Sequence, residues 1–281
     1  MKILAGIVLF NPNIDRLKEN IDAIYEQVTS IVFFNNGSIN LIEINNVISH
    51  YERIVFLNSN INKGIAFALK SIMDLAIKEK YDWVLTLDQD SVCMPGLINA
   101  YSAYFNFERI GILTCNIVDR NFKTDSDFNE GEQYKEIKQC ITSASLVSVN
   151  AYKETDGFDE KMFIDSVDFD LCINMRLHGY KVIKVNFDGL LHEVGHGRNV
   201  RLFFKKYVSY NHSPFRQYYI ARNHKYLIYK YPDEFSKLKE ALREIRAELI
   251  IFMFEKNKFA KIKERWRGIK DAKKMIADLK G

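Results

Sequence analysis

The segment Trp83-Val84-Leu85-Thr86-Leu87-Asp88-Gln89-Asp90-Ser91 decides the fold. Its apolar part is typical of a buried strand, and it ends in two acids spaced two residues apart. Side chains alternate across a strand, so Asp88 and Asp90 are expected on the same side of its end. A divalent ion held by one or two carboxylates plus substrate phosphates relieves the repulsion between such acids. The alternative is a turn with two solvated acids.

The segments before this strand alternate between strand and helix patterns. Strands are predicted at 2–10, 30–35, 53–57 and 82–87, and helices at 14–28 and 64–80. This alternation predicts an α/β fold with a Rossmann-like, mainly parallel mixed sheet flanked by helices, whose ligands bind at the carboxyl ends of the strands. Three turns fall at those ends: the one after the first strand, Asn35-Asn36-Gly37-Ser38 and Asp88–Asp90. They predict a nucleotide-binding crevice.

The pattern changes after residue 96. A helix is predicted at 97–107, strands at 110–117, 140–149 and 181–185, a polar loop at 119–138, a helix from Val167 to Gly179, a loop at 189–200 and a helical tail from Pro214. No internal repeat or low-complexity segment occurs. The N-terminal apolar run is interpreted as the first strand rather than a signal peptide, because it lacks a small-residue cleavage site.

The composition is that of a globular protein. Of 281 residues, 47% are apolar and 27% charged, which argues against wholesale disorder. No apolar stretch approaches the roughly 20 residues that span a bilayer. The cysteines lack metal-ligand spacing and are expected to be free thiols, largely in the core, as in a reducing cytoplasm. They are Cys93, Cys115, Cys140 and Cys172.

The formal net charge of +4 hides an asymmetry. Residues 198–281 hold 22 Lys and Arg against 9 Asp and Glu, a balance of +13, whereas residues 1–197 have a balance of −9. The tail 235–281 combines apolar residues at helical spacing with Lys and Arg around Phe259, Ile262 and Trp266, which predicts a basic amphipathic element that binds a membrane surface or a partner. The alternative is that it packs on the catalytic domain or a second subunit, as in a homodimer. No motif supports nucleic-acid binding.

Residues 159–172 carry five acids, of which Asp165, Asp168 and Asp170 cluster where a helix begins. Acids in a first helical turn are favoured by free backbone donors and the helix dipole, so capping explains one or two of them. A carboxylate beyond that number could serve as a general base. His192 and His196 follow in a glycine-rich stretch whose spacing differs from that of zinc peptidases, so a protease is rejected.

Together these motifs resemble those of inverting family 2 glycosyltransferases with the GT-A fold, most of all the bacterial rhamnosyltransferases. Eight motifs occur in the family's order between Ile3 and Leu227. They are Leu9-Phe10-Asn11-Pro12, Asn35-Asn36-Gly37-Ser38, Asn60–Ala66, Leu87–Ser91, Thr142–Leu146, Gly157–Glu160 with Phe163–Asp168, His192, and Tyr218–Asn223.

The resemblance implies a role for each acid. Asp90, with His192, would hold Mn²⁺ or Mg²⁺ on the donor diphosphate, and Asp88 would contact the ribose or the metal's surroundings. The implied base is Asp168, with Asp165 as second choice, and Asp170 is interpreted as support for the start of the helix. The base would deprotonate an acceptor hydroxyl that attacks the anomeric carbon opposite the diphosphate, which inverts the configuration.

The resemblance also implies ligand contacts away from the acids. Leu9, Asn11, Asn35 and Lys63 match positions that hold the donor base and ribose. Ser143, Arg222 and Asn223 are assigned to the acceptor or diphosphate, although a salt bridge and a helix cap explain the last two equally well. The sequence departs from the family at two positions: many relatives have Asp in place of Asn35, and the branch often has Gly in place of Ala144.

These observations lead to one leading hypothesis: a metal-dependent transferase that moves L-rhamnose from dTDP-rhamnose to a lipid-linked glycan of a surface polysaccharide such as O-antigen or capsule. One alternative keeps the chemistry with UDP-activated galactose, galactofuranose or N-acetylhexosamine. Another is a non-catalytic nucleotide- or glycan-binding subunit at the membrane. The expected catalytic domain is 1–212, with a donor half at about 1–95 and an acceptor half at about 96–212, followed by a basic helical region at 213–281. The expected location is cytoplasmic, at the inner face of a bacterial plasma membrane.

Overall fold

The computed structural model describes residues 1–119, 128–192, 198–202, 205–277 and 279, without the side chains of residues 119 and 192. The chain forms two compact units. The first comprises Met1–Glu160 and Val167–Glu193, and the second comprises Lys161–Ser166 and Val194–Gly281. These units are defined by contacts within the chain. The boundary expected after residue 212 separates a catalytic domain from a basic region by function, and it stays a prediction.

The first unit is an α/β layer built on one mixed sheet. Its strands are β1 (Ile3–Leu9), β2 (Ser30–Asn36), β3 (Ile54–Ser59), β4 (Trp83–Asp88), β5 (Val92–Cys93), β6 (Ile110–Asp119), β7 (Tyr134–Glu136), β8 (Ser145–Ser148) and β9 (Lys181–His192). Its helices are α1 (Ile14–Ile24), α2 (Leu41–Ile48), α3 (Ile65–Lys78), α4 (Leu97–Ser102), α5 (Val149–Lys153) and α6 (Val167–Leu177). The strand order is β3-β2-β1-β4-β8-β6-β9-β5, and β7 also pairs with β9.

The first four strands are parallel, as the alternation of strand and helix patterns predicts. β1 pairs with β2 and β4, and β2 pairs with β3, all in parallel register. Every antiparallel pairing involves a strand after residue 91, which makes the sheet mixed. Parallel strands joined by helices present their carboxyl ends at one edge. The turns after β1, β2 and β4 therefore lie side by side, and the predicted fold class is confirmed.

The sequence explains why these elements form. β1 is apolar along its whole length because helices cover both faces of the sheet, and six of its seven residues are buried. Asn13 caps α1, because its side chain accepts the backbone N–H of Arg16, and the helix buries Leu17, Ile21 and Ile24 as its helical stripe predicts. The four cysteines are free thiols and three of them are buried, as expected.

Several predicted boundaries are wrong. The helix at 97–107 ends at Ser102, and only the last part of 140–149 is a strand, β8. The predicted loop at 189–200 is strand up to residue 192 and again from residue 198. Gly189 lies within β9. Only glycine fits there, because a Cβ would lie 2.5 Å from Leu97 and 2.7 Å from Cys115. The polar loop contains β7, and its residues 120–127 lie outside the described part. The predictions also miss α2.

The second unit contains the predicted helical tail. Its elements are the hairpin β10 (Arg198–Leu202) and β11 (Lys205–Ser209) and the helices α7 (Pro214–Lys230), α8 (Lys237–Phe254) and α9 (Lys258–Ala277). Ser213 caps α7, and Pro214 occupies its first turn. In the described residues, no helix has the length and apolar character needed to cross a membrane.

Charged residues lie inside this second unit. Lys261 and Arg265, which the sequence places in the basic flank of the tail, are buried at 2% exposure each. Arg265 donates to Gln217 and to the Glu244 carboxylate, which also accepts from Nδ1 of His224 at 2.6 Å. Lys261 pairs with Glu255 at 2.9 Å. These ion pairs fix the inward face of α9.

Gly268 permits the close contact between α7 and α9. A Cβ at Gly268 would lie 2.3 Å from the carbonyl oxygen of Tyr218. We predict that Gly268→Ala lowers the free energy of unfolding by about 2 kcal/mol, although alanine favours a helix, because the helices must separate. Urea unfolding measures this, with Lys270→Ala on the exposed side of α9 as control. Equal or higher stability of Gly268→Ala would contradict the contact.

Glu244 makes the stability of this unit depend on pH. Burial raises its pKa, but the hydrogen bond with His224 and the charge of Arg265 outweigh that effect, so the pKa lies below its usual 4.5. The carboxylate therefore stabilises the fold above pH 4.5, and this contribution is lost as the pH falls through the lowered pKa.

We predict that Glu244→Gln lowers the free energy of unfolding at pH 7 by about 3 kcal/mol, because Arg265 loses its charged partner. The difference from the unmodified protein should shrink as the pH falls below 4.5. Urea unfolding at a series of pH values tests this, with Glu264→Gln, which removes the pair between Glu264 and the exposed Arg267, as control. A difference that is constant with pH would contradict the assignment.

Candidate functional site

The turn after β4 presents Asp88 and Asp90 at the carboxyl edge of the sheet, as predicted. Asp90 is exposed and Asp88 is half-buried. The buried Asn20 of α1 donates to the Asp88 carbonyl at 2.8 Å. The buried Ser143 accepts the Asp88 N–H at 3.2 Å, and its hydroxyl lies 2.7 Å from that of Ser91. The turn is therefore held from two sides.

The neighbouring turn after β1 is hydrogen-bonded to the turn after β4. The Gln89 side chain accepts the Phe10 N–H at 2.8 Å and donates to the Phe10 carbonyl at 3.3 Å. Asn11 adopts a φ of +49°, accepts the Ile39 N–H through its side chain and donates its own N–H to Ser38. Hydrogen bonds thus connect the turns after β1, β2 and β4.

Asn35 is fully engaged within the protein. It is buried, and its side-chain oxygen accepts the Ser38 N–H at 3.1 Å. Its amide nitrogen donates to the Asn58 side chain at 2.7 Å and to the Ser59 carbonyl at 3.4 Å. Because one partner is a backbone N–H and another a backbone carbonyl, the orientation of the amide is determined. An aspartate here could not make the bond to Ser59.

Lys63 lies at the same edge, in the turn before α3. Its backbone N–H donates to the buried Asn36 side chain at 2.8 Å, and its ammonium lies 4.3 Å from the centre of the Phe67 ring. Gly37, with φ of +84°, allows this turn to approach, since a Cβ would lie 2.8 Å from the Asn62 nitrogen. The ammonium is exposed, so it is available to an anion.

The structure therefore brings six predicted donor-binding residues to one edge: Leu9, Asn11, Asn35, Lys63, Asp88 and Asp90. Strand register orders them, because Asp88 pairs with Val8, Leu9 with Asn35, and Asn35 with Asn58. Leu9 is buried, whereas Asn11, Lys63 and Asp90 are exposed. Their contacts with a ligand stay predictions.

Asp168 is the second residue of α6 and is half-buried. Its carboxylate accepts the Phe169 N–H at 2.9 Å. It lines a cavity of about 10 Å³, room for roughly one water molecule, together with Thr86, Thr142 and Cys140. Asp168 thus lies beside the loop that precedes β8.

This loop, residues 140–144, contacts both α6 and the Asp88–Ser91 turn. Thr86 of β4 donates to the carbonyl of Thr142 at 2.6 Å, and Ser143 binds the turn as described above. On the other side, the Cys140 sulfur lies 3.6 Å from that of Cys172 on α6, and this hydrogen bond together with burial raises the pKa of the Cys172 thiol. Ala144 has a φ of +61°, in the left-handed region that favours glycine.

Asp90 is suited to bind a divalent ion. Asp90 is an exposed carboxylate that receives no hydrogen bond or ion pair from another described residue, and hard cations prefer such oxygen ligands. No group of three potential ligands occurs among the described side chains. His192 ends β9, but its side chain lies outside the described part, as does His196, so its predicted role is not tested.

Three further predicted residues, Asp165, Arg222 and Asn223, belong to the second unit. Asn223 is fully buried and donates to the carbonyls of Met162, Ile164 and Asp165 at 2.7–2.8 Å. Arg222 donates to the carbonyls of Lys161 and Met162. Both residues therefore hold segment 161–165, a role that the sequence did not indicate. Ligand contacts of Arg222, Asn223 and Ser143 stay predictions.

Asp165 has a partner that the sequence did not suggest. Arg216 donates to its carboxylate with both Nε and Nη2, at 3.0–3.3 Å. Phe163, Asp165 and Ser166 all have a positive φ, which costs free energy in residues other than glycine. The bonds from Asn223 and Arg216 offset this cost and keep the segment in one conformation.

Comparison with known proteins gives a family and named relatives. Residues 5–158 match the family described as glycosyl transferase family 2. The chain is 24% identical over 286 residues to dTDP-rhamnosyl transferase RfbF of Shigella flexneri. This alignment covers 93% of this chain and 92% of RfbF. It is 27% identical over 246 residues to rhamnosyltransferase WbbL of Escherichia coli strain K12, and that alignment covers 74% of this chain and 88% of WbbL.

Solved structures share the fold. S. aureus TarS 1-349 in complex with UDP-GlcNAc has a TM-score of 0.60 at 13% identity, over 81% of this chain and 67% of that one. GalNAc-T7 with UDP, GalNAc and Mn²⁺ has a TM-score of 0.59 at 11% identity, over 83% and 50%. The chain therefore has the GT-A glycosyltransferase fold.

The hydrogen bonds of the Asn35 amide can be tested by exchanging this residue for aspartate. We predict that Asn35→Asp lowers the free energy of unfolding by about 2 kcal/mol, because the new carboxylate faces the Ser59 carbonyl and the Asn58 oxygen without a donor. Urea unfolding measures the change. Asn60→Asp, which keeps an acceptor for the Asn58 amide, is the control. An unchanged or higher stability of Asn35→Asp would contradict the assigned hydrogen bonds.

Proposed function

This chain belongs to glycosyl transferase family 2 and is a hexosyltransferase, and we propose that it transfers L-rhamnose from dTDP-rhamnose to a lipid-linked glycan, with inversion. The observation that supports the proposal is the row of turns at the carboxyl edge, where Asp90 and Lys63 are both exposed. The names of RfbF and WbbL support rhamnose as the sugar, because both relatives align over most of the chain.

The donor binds at this edge in the proposed reaction. Leu9, Asn11, Asn35 and Lys63 would contact the base and ribose, and the exposed Lys63 ammonium would also face the diphosphate. Asp90 would hold Mn²⁺ or Mg²⁺, with His192 as the second protein ligand; a bound cation stabilises the charge that grows on the leaving diphosphate. The Mn²⁺ of GalNAc-T7 supports such an ion in this fold.

Asp168 is the proposed general base. The acceptor hydroxyl oxygen forms a bond to the anomeric carbon while its proton passes to the Asp168 carboxylate, and the bond between that carbon and the diphosphate oxygen breaks. One displacement inverts the configuration. Asp165 is the weaker candidate, because both its oxygens are engaged by Arg216.

The acceptor is proposed to be a lipid-linked oligosaccharide of a surface polysaccharide, such as O-antigen or capsule, at the inner face of a bacterial plasma membrane. The division into a donor half before residue 95, an acceptor half to residue 212 and a basic helical region belongs to the same proposal. A UDP-sugar donor has support in the UDP-GlcNAc complex of TarS, which shares only the fold.

A donor screen tests the proposal. The purified protein is titrated by calorimetry with dTDP-rhamnose, UDP-galactose, UDP-galactofuranose and UDP-N-acetylglucosamine, each with Mn²⁺ or with a chelator. We expect dTDP-rhamnose to bind tightest and to lose affinity on chelation and in Asp90→Asn. Preference for a UDP-sugar would show that dTDP-rhamnose is not the donor. Binding of none of the four would overturn the whole proposal.

We predict that Asp168→Asn lowers kcat at least about 100-fold and leaves the dissociation constant of the donor within about twofold, because only proton removal is lost. Release of the nucleoside diphosphate in the presence of acceptor measures kcat. Asp156→Asn, which changes an exposed acid of the same unit, is the control. Unchanged turnover in Asp168→Asn would exclude the assigned base and favour a non-catalytic binding subunit.

A further inference from the structure

The outward side of α8 is apolar. Leu238, Leu242, Ile245, Leu249, Phe252 and Met253 are between 38% and 71% exposed. The first five follow one another at spacings of four and three residues, so they form a straight stripe along the helix. A stripe of this kind on a globular protein marks an interaction surface.

Hydrogen bonds and one ion pair on the opposite side of α8 hold it in this orientation. The acids Glu240, Glu244 and Glu248 lie on the inward, half-buried side of α8. Glu240 and Glu244 bind His224 of α7, and Glu244 also binds Arg265 of α9. Turning the apolar stripe inward would break these bonds and leave Arg265 buried without its charged partner. The helix is therefore fixed with its apolar side out.

The apolar surface continues from α8 onto α9. Phe259 is 72% exposed, and its ring centre lies 6.2 Å from that of Phe252. The ammonium of Lys258 lies 4.6 Å from the Phe252 ring and 5.9 Å from the Phe259 ring. We refer to the six α8 residues together with Phe259 as the outer face.

The exposed charges around the outer face have one sign. Between residues 237 and 277, every exposed charged side chain is basic, and every acid is at least half-buried. The exposed cations are Lys237, Lys239, Arg243, Arg246, Lys256, Lys263, Arg267, Lys270, Lys273 and Lys274. Such segregation requires that the acids be used within the unit, as the ion pairs of Glu244 and Glu255 show.

We propose that the outer face binds an anionic lipid surface, with the apolar stripe in the acyl boundary and the flanking cations among the headgroups. Helices with an apolar stripe, aromatic residues and only cations alongside bind membranes in this way. A second copy of this chain is the weaker partner, because pairing two outer faces would bring like charges together. This binding goes beyond the transfer reaction and does not depend on it.

Sedimentation with vesicles tests the proposal on the full chain. We expect binding to vesicles of phosphatidylcholine with phosphatidylglycerol, and at least tenfold weaker binding to phosphatidylcholine alone. Leu242→Gln with Leu249→Gln should weaken binding to the anionic vesicles by about tenfold or more, because two leucines no longer enter the lipid. Arg243→Gln should weaken it by about fivefold.

Leu177→Gln is the matched control, since Leu177 is an exposed leucine of the first unit. It should bind vesicles like the unmodified protein, and circular dichroism should show that all variants fold. Equal binding to both vesicle types, or no effect of the two leucine changes, would overturn the proposal. So would light scattering that shows a dimer in solution which dissociates in the leucine variant. Donor binding, measured separately, should be unchanged in these variants.

Discussion

The arrangement at the carboxyl edge depends on the hydrogen bonds that hold the Asp88–Ser91 turn. Asn20, Ser143 and the Phe10 backbone bind this turn from three different parts of the chain. Without them, two acids after a strand would be a solvated turn with no fixed direction. With them, Asp90 is exposed at a defined place beside the turns after β1 and β2. The chemistry proposed for this protein needs that placement more than any single contact with a ligand.

Loop 140–144 extends the same constraint to the proposed base. It binds β4 through Thr86, and it contacts α6 through the sulfurs of Cys140 and Cys172. A change in this loop would therefore affect both the acid turn and the helix that begins beside Asp168. The left-handed backbone of Ala144 is part of its shape.

The sequence predicts local features well and distant contacts poorly. The start of α6 at Val167 and of α7 at Pro214 follow from capping and periodicity, and the strands of the parallel half follow from apolar runs that both sheet faces bury. The partner of Asp165 could not be predicted, because Arg216 lies 51 residues away. The burial of Arg265 was missed for the same reason, because its partner Glu244 is 21 residues away. Residue spacing reveals an apolar stripe on a helix, but contacts with acids from other helices decide which side faces outward.

The central claim is that one edge of the sheet holds the donor diphosphate beside Asp90. The most direct measurement is a crystal structure of the protein with dTDP and Mn²⁺. The account predicts the nucleotide across the turns after β1 and β2, with the ion about 2.1 Å from an Asp90 oxygen and bound to the diphosphate. A nucleotide bound anywhere else on the protein, or an ion coordinated without Asp90, would contradict it.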